Sequence, residues 1–173
     1  DRRVVMQAPK NGFFYVLDAA DGELISATPF TQQNWTTGEF DENGRPVLIQ
    51  DAVDMALTVV IPGPTGAHNW HPMAFNPDTG LVYIPVNEIP FFYDKTRNVK
   101  DSKSWWNIGY DAAAGWPVEY PAGTLDAVAD LDGGSLLAWD PVKAEPRWAV
   151  PFALPLNGGV LSTDAGLVFQ GNK

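Results

Sequence analysis

Nine short apolar, β-branched runs, each closed by turn residues, set the limits on what this chain can become. They are RVVMQA (3–8), FFYVLD (13–18), ELISA (23–27), WHPMAF (70–75), LVYIPV (81–86), SLLAWD (135–140), RWAVPF (147–152), GGVLST (158–163) and GLVFQG (166–171). None sustains a 3.6-residue apolar period, so the chain reads as all-β with helix at most minor. The separators APKNG, DAADG, NPDTG and STDAG supply Asn, Asp or Gly. These residues tolerate the left-handed backbone that a tight β-turn needs.

Aligning the turns reveals an eleven-residue pattern. AWDPVKAEPRW (138–148) begins with Ala138, carries Asp140 two residues on and ends with Trp148. VLDAADGELIS (16–26) has Asp18 and Gly22 at matching offsets, with Ser26 in the Trp position. AFNPDTGLVYI (74–84) matches at Ala74, Asn76, Thr79 and Gly80. Hairpins converge on Asp-x-x-x-Gly by turn chemistry alone, but the near-complete copy at 138–148 favours a true repeat. Its terminal Trp is expected to pack across to a neighbouring sheet.

Repeated four-stranded antiparallel units of this kind build a β-propeller. If the Asp turn of the Trp repeat links the two outer strands, residues 3–28 are the last three strands of one blade. Residues 70–86 and 134–152 are then a complete blade, and 157–171 the first two strands of a third. That is about two and a quarter blades, where closed propellers have roughly four to eight. The whole chain, 1–173, is thus expected to be part of a single propeller domain. It opens on Asp1 with strand-like sequence and no signal peptide ahead, and it stops just after another strand-like run. Both ends are read as those of an internal fragment.

Two connections, 29–69 and 87–133, exceed the roughly 12–15 residues usual for a structureless loop. The second holds three of the seven Trp, so it either packs its own aromatics or serves as a substrate lid. A formal charge of −10 argues against nucleic acid, whose binding is built from clustered Lys and Arg. No run approaches the ~20 apolar residues of a membrane span. With no Cys there is no disulfide, thiolate metal site or haem-attachment motif within the chain.

GAHNWHPM (66–73) holds both histidines. As a metal motif it is poor: Pro72 argues against a helix, odd spacing on a strand sends His68 and His71 to opposite faces, and no other His or Cys completes a set. No metal ligand is assigned. Lys10 of APKNG gains interest only if the fold carries it to a central channel, where it would be a cationic donor toward an anion or carbonyl. Asp111, Glu119, Asp126, Asp130 and Asp132 define neither a calcium loop nor a catalytic pair and read as a solvated acidic stretch. Nucleophile elbow, P-loop and dinucleotide fingerprint are all missing.

APKNGFFYVLDAADGELISA, GAHNWHPMAFNPDTGLVYIP, GGSLLAWDPVKAEPRWAVPF and NGGVLSTDAGLVFQG together closely resemble the pyrroloquinoline-quinone (PQQ)-dependent alcohol dehydrogenases, the quinohaemoprotein branch more than the methanol dehydrogenases. The likeness runs in order from Val4 to Gly171 and breaks mainly in the two long connections. The eleven-residue repeat is similar to that family's tryptophan-docking motif, which implies an eight-bladed propeller with the quinone in its central channel. The resemblance implies a periplasmic enzyme that oxidises primary alcohols to aldehydes with PQQ and calcium. Lys10 matches a basic residue at the reactive quinone carbonyl, and Asn69 and Trp70 match an Asn-Trp pair that contacts the cofactor. Lys10 is thereby the one catalytic candidate, and Lys10, Asn69 and Trp70 are the cofactor-binding candidates.

The same resemblance places the general-base aspartate and the calcium ligands upstream of Asp1, and any haem c domain downstream of Lys173. It implies a small alcohol substrate, a cytochrome or other electron acceptor, and leaves room for a membrane-associated electron-transfer partner. The fragment alone is expected to be inactive. Ser26 in place of the docking Trp, and Lys143-Ala144 in place of Thr-Gly, depart from the pattern. The competing readings are a non-enzymatic propeller that scaffolds protein assembly and a quinoprotein acting on sugars or polyols.

Overall fold

A computed structural model describes residues 2–49, 57–94, 131 and 133–172. Every regular element among them is a strand. The three Trp of the second long connection, and its Asp111, Glu119, Asp126, Asp130 and Asp132, lie outside the described residues.

Three sheets stand in succession along the chain. Strands β1 (Val4–Gln7), β2 (Phe13–Asp18) and β3 (Leu24–Pro29) pair in that order. The next sheet has four strands, β7 (Ala74–Asn76), β8 (Leu81–Asn87), β10 (Gly134–Asp140) and β11 (Glu145–Phe152), ordered β11-β10-β8-β7. The third pairs β12 (Val160–Ser162) with β13 (Val168–Gln170). All pairings are antiparallel.

Alternation along β8 shows how the sheets stack. Val82, Ile84 and Val86 face one way, into a core with Ala8, Phe14 and Val16 of the first sheet's side and with Leu137 and Trp139. Leu81 and Tyr83 face the other way, into a second core with Ala138, Val160 and Val168. A period of two thus buries both faces of the middle sheet between its neighbours. On the third sheet the cross-strand pair Leu161 and Phe169 faces outward, 61% and 53% exposed.

The two copies of the Trp repeat are the same object in three dimensions. In β2–β3 the register slips between Val16 and Leu17; in β10–β11 it slips between the equivalent Ala138 and Trp139. The second bulge leads onto Pro146, which has no amide to offer the ladder. Asp140 Oδ1 accepts the Val142 and Lys143 amides, and Asp18 Oδ1 accepts the Ala20 amide. Those amides lower both carboxyls from their ordinary pKa, the Lys143 amide leading at Asp140, and the Ala20 amide followed by the Arg2 side chain at Asp18. Gly22 has φ +81°, and Ala144, at the same offset, is held at φ 56°. That is left-handed backbone, which suits Gly and strains Ala.

AFNPDTGLVYI is a different hairpin. It joins β7 to β8, the sheet-edge pair on the side away from β11, and its register is regular. Its likeness to the repeat is turn chemistry only: Asn76 Oδ1 accepts the Asp78 and Thr79 amides, as Asp140 does for its own turn. Trp148 makes a contact within its own sheet. Its ring meets Tyr83 of its own sheet at 5.8 Å, because both flank the small Ala138, which is in register with each.

The long connections contain strands that local pattern did not disclose. β4 (Thr36–Phe40) and β5 (Pro46–Leu48) form a hairpin whose Phe40 meets Phe13 and Tyr15 edge-on, at 5.0 and 6.2 Å. β6 (Leu57–Val60) from the first connection pairs with β9 (Phe91–Asp94) from the second. The two connections are therefore tied to each other. WHPMAF is also corrected: strand begins only at Ala74, and Trp70 to Met73 belong to the loop that enters it.

Candidate functional site

Antiparallel order sends the 19–23, 77–80, 141–144 and 163–167 turns to one end of the sheets and the long connections to the other. The Lys10 turn, the 61–73 loop, the end of β8 and the 153–159 segment share the second end. Here the sequence candidates lie.

The Lys10 turn is pinned from two sides. Asn11 Nδ2 donates to Tyr15 Oη (2.8 Å), and Asn11 Oδ1 accepts the Phe13 amide. Burial pushes the Tyr15 phenol above its ordinary pKa. On the other side the Ala67 amide donates to the Lys10 carbonyl (3.0 Å), and the Ala67 carbonyl accepts the Asn87 amide (2.7 Å). Ala67 is fully buried and bridges the first sheet's turn to the end of β8.

Lys10 itself is exposed, and its Nζ donates to the Pro64 carbonyl (3.1 Å). Asn69 is half-buried, and its Nδ2 donates to the next carbonyl, that of Thr65 (2.9 Å). The structure thus brings two of the three candidates, 59 positions apart in sequence, onto adjacent peptides of one turn. Thr65 Oγ1 is buried beside them with no partner among the described residues. The segment Pro62-Gly63-Pro64-Thr65-Gly66 makes this possible, and its dense Gly and Pro signal was readable as a turn. What sequence reasoning missed is that Pro64 and Thr65 supply the acceptors.

Trp70 goes elsewhere. It is 79% exposed, its ring stacks on His71 at 4.1 Å, and it lines a cleft of ≈ 450 Å³ with Leu156, Gly158, Gly171 and Asn172 of the next sheet's loops. The buried His68 is a cross-brace: its two ring nitrogens face the Ala8 and His71 carbonyls. Pro72 anchors the far side of the loop, since its carbonyl accepts the Val160 amide (2.8 Å). Chemically the end offers an ammonium and a carboxamide on one turn and, apart from them, a flat apolar ring beside an open cleft.

Comparison with known proteins gives this corner its context. Quinohaemoprotein alcohol dehydrogenase ADH IIB of Pseudomonas putida is 46% identical over 172 residues, which cover 98% of this chain and 24% of that protein. The chain is a relative of the quinohaemoprotein alcohol dehydrogenases. A 1-butanol dehydrogenase (cytochrome c) of Thauera butanivorans is 37% identical over 180 residues, covering 98% and 24% respectively. The solved structure of a second quinohaemoprotein alcohol dehydrogenase from Pseudomonas putida superposes with a TM-score of 0.78 and 39% identity, covering 99% of this chain and 26% of that one. No family model matches the chain. The all-strand architecture is that of a propeller segment, and the chain spans about a quarter of the length of these relatives.

Proposed function

We propose that this segment is part of a longer quinoprotein dehydrogenase that oxidises primary alcohols to aldehydes, and that Lys10, Asn69 and Trp70 form part of its PQQ pocket. The observation that carries the reading is the convergence of Lys10 and Asn69 on the neighbouring Pro64 and Thr65 carbonyls. The three sheets would be successive blades: residues 3–28 the end of one, 70–152 a whole one with 87–133 inserted, and 157–171 the start of the next. A further blade would cover Leu161 and Phe169.

The residues present fit a planar, polyanionic quinone by donor chemistry. A lysine ammonium and an asparagine amide are hydrogen-bond donors suited to carbonyl and carboxylate oxygens. The exposed Trp70 indole offers a flat apolar wall beside an open cleft. When bound, the quinone supplies a two-electron hydride acceptor. Lys10 then donates a hydrogen bond where negative charge develops, the kind of preorganised donor whose loss costs about 10²–10³ in rate. Asn69 fixes orientation, and Trp70 keeps water from the ring face.

Calcium, whose ligands would lie outside this chain, acts as a Lewis acid in such a site. A small alcohol is the substrate class, and a cytochrome is the electron acceptor that the name of the Thauera relative supports. A periplasmic location follows from the same family reading, which leaves room for a haem c domain. Among the described residues no helix is long and apolar enough to cross a membrane. The relatives above carry dehydrogenase names, so the scaffold reading has no support.

The test uses the full-length protein. Lys10→Ala should lower alcohol turnover by about 10²–10³ with folding intact, and Asn69→Ala should weaken PQQ binding in reconstitution of the apoenzyme. Wild-type turnover in the first and wild-type affinity in the second would remove the pocket assignment.

A further inference from the structure

We propose that Gly66 is the positioning residue for Lys10, setting the direction in which its side chain leaves the β1–β2 turn. The inference rests on the Lys10 role above and extends it to a residue that carries no functional group. A Cβ built on Gly66 would lie 2.5 Å from Lys10 Cγ, 2.6 Å from Lys10 Cβ and 2.7 Å from Lys10 Cα. Real Cβ atoms do not approach so closely, and one of the three neighbours is backbone, so the contact cannot be relieved at the flexible end of the lysine. Gly66 also stands at φ +80°, with its amide donating to the Gly63 carbonyl (2.8 Å).

Hydrogen bonds hold the lysine at both its backbone and its ammonium end. Its carbonyl is held by the Ala67 amide, the residue after Gly66, so the two backbones are locked together at the clash point. Its Nζ reaches the Pro64 carbonyl two residues before Gly66, and Asn69 reaches the Thr65 carbonyl between them. Gly66 is thus the surface against which the lysine stem lies, and Pro64 to Asn69 is the frame that sets ammonium and carboxamide side by side. A methyl at Gly66 moves the stem and separates the two donors without deleting either.

The experiment titrates PQQ into full-length apoenzyme, follows tryptophan fluorescence, and measures turnover of the reconstituted protein. Gly66→Ala is expected to weaken PQQ affinity at least tenfold and to lower turnover. In a Lys10→Gly background, which removes both side-chain atoms of the clash, the same change should weaken affinity by a smaller factor than in the wild type, because it acts through the lysine side chain. Equal weakening in both backgrounds would mean a general loop defect and overturn the proposal, as would an unchanged affinity in the single variant. If Lys10→Ala is itself indistinguishable from wild type, the reading of Lys10 fails and this one with it. If Lys10→Ala is impaired while Gly66→Ala is normal, only the present inference fails. Should Gly66→Ala not fold, adding Lys10→Gly removes the Cβ and Cγ contacts and leaves the 2.7 Å approach to Lys10 Cα, so the double variant is expected to recover part of the lost stability; a double variant no more stable than Gly66→Ala overturns the proposal.

Discussion

The two ends of the sheets are built on opposite principles. At the turn end, glycine is needed for its dihedral angle: Gly22 has φ +81°, and a Cβ there would meet nothing within 4 Å. At the site end, glycine is needed for space, at Gly66 in addition to its φ of +80°. A Cβ on Gly159 would sit 2.5 Å from the Pro72 ring, and one on Gly66 would collide with Lys10. The turn end closes hairpins with local Asx chemistry, while the site end holds distant segments against each other. It is at the site end that the distant Lys10 and Asn69 meet on one turn.

That contrast can be broken by substitution. The largest effect is expected at Gly159→Ala, where overpacking against Pro72 should cost up to about 3 kcal/mol. Because Pro72 follows Trp70 and His71 directly, PQQ affinity should fall together with the thermal midpoint. A stability loss with unaltered affinity would show that the two ends do not differ in this way. Asn76→Ala tests the other end. Asn76 is buried, serves its own turn, and donates through Nδ2 to the Thr163 carbonyl of the next sheet's turn (2.9 Å). Its loss should cost about 2 kcal/mol in denaturant unfolding and leave turnover untouched. The smallest change has the opposite sign. Ala144→Gly relieves left-handed alanine and should stabilise by about 1 kcal/mol, again without kinetic consequence; a destabilised variant would mean that the Ala144 methyl contributes packing outweighing its strain.

The same division explains what could be read from the sequence. The Trp repeat was legible because everything it needs is local: Asp18 or Asp140, a fourth following residue with positive φ, and an apolar strand on each side. It misled at 74–84, where Asn76 and Gly80 reproduce the turn but not the bulge. β6 and β9 were illegible because neither Leu57–Val60 nor Phe91–Asp94 signals its partner, and their pairing spans two connections. The Trp148–Tyr83 contact was illegible because nothing in the sequence reveals that Ala138 leaves room between them. At the site, Lys10, Asn69 and Trp70 stood out as residue types in quoted motifs. The Pro64 and Thr65 carbonyls could not, since a backbone acceptor has no identity in sequence. Trp70 was grouped with Asn69 by adjacency, yet the two side chains serve different surroundings.

Ala67 joins the turn of one sheet to the end of the next through a single buried peptide pair. Its amide and that of Asn87 can meet solvent deuterium only when those sheets part at the site end. Local opening in proteins is unevenly distributed, and amide exchange reads its free energy position by position. These two protons are therefore a built-in gauge of how often neighbouring sheets separate, and their exchange rates would register a ligand that clamps them before any change in shape could be seen.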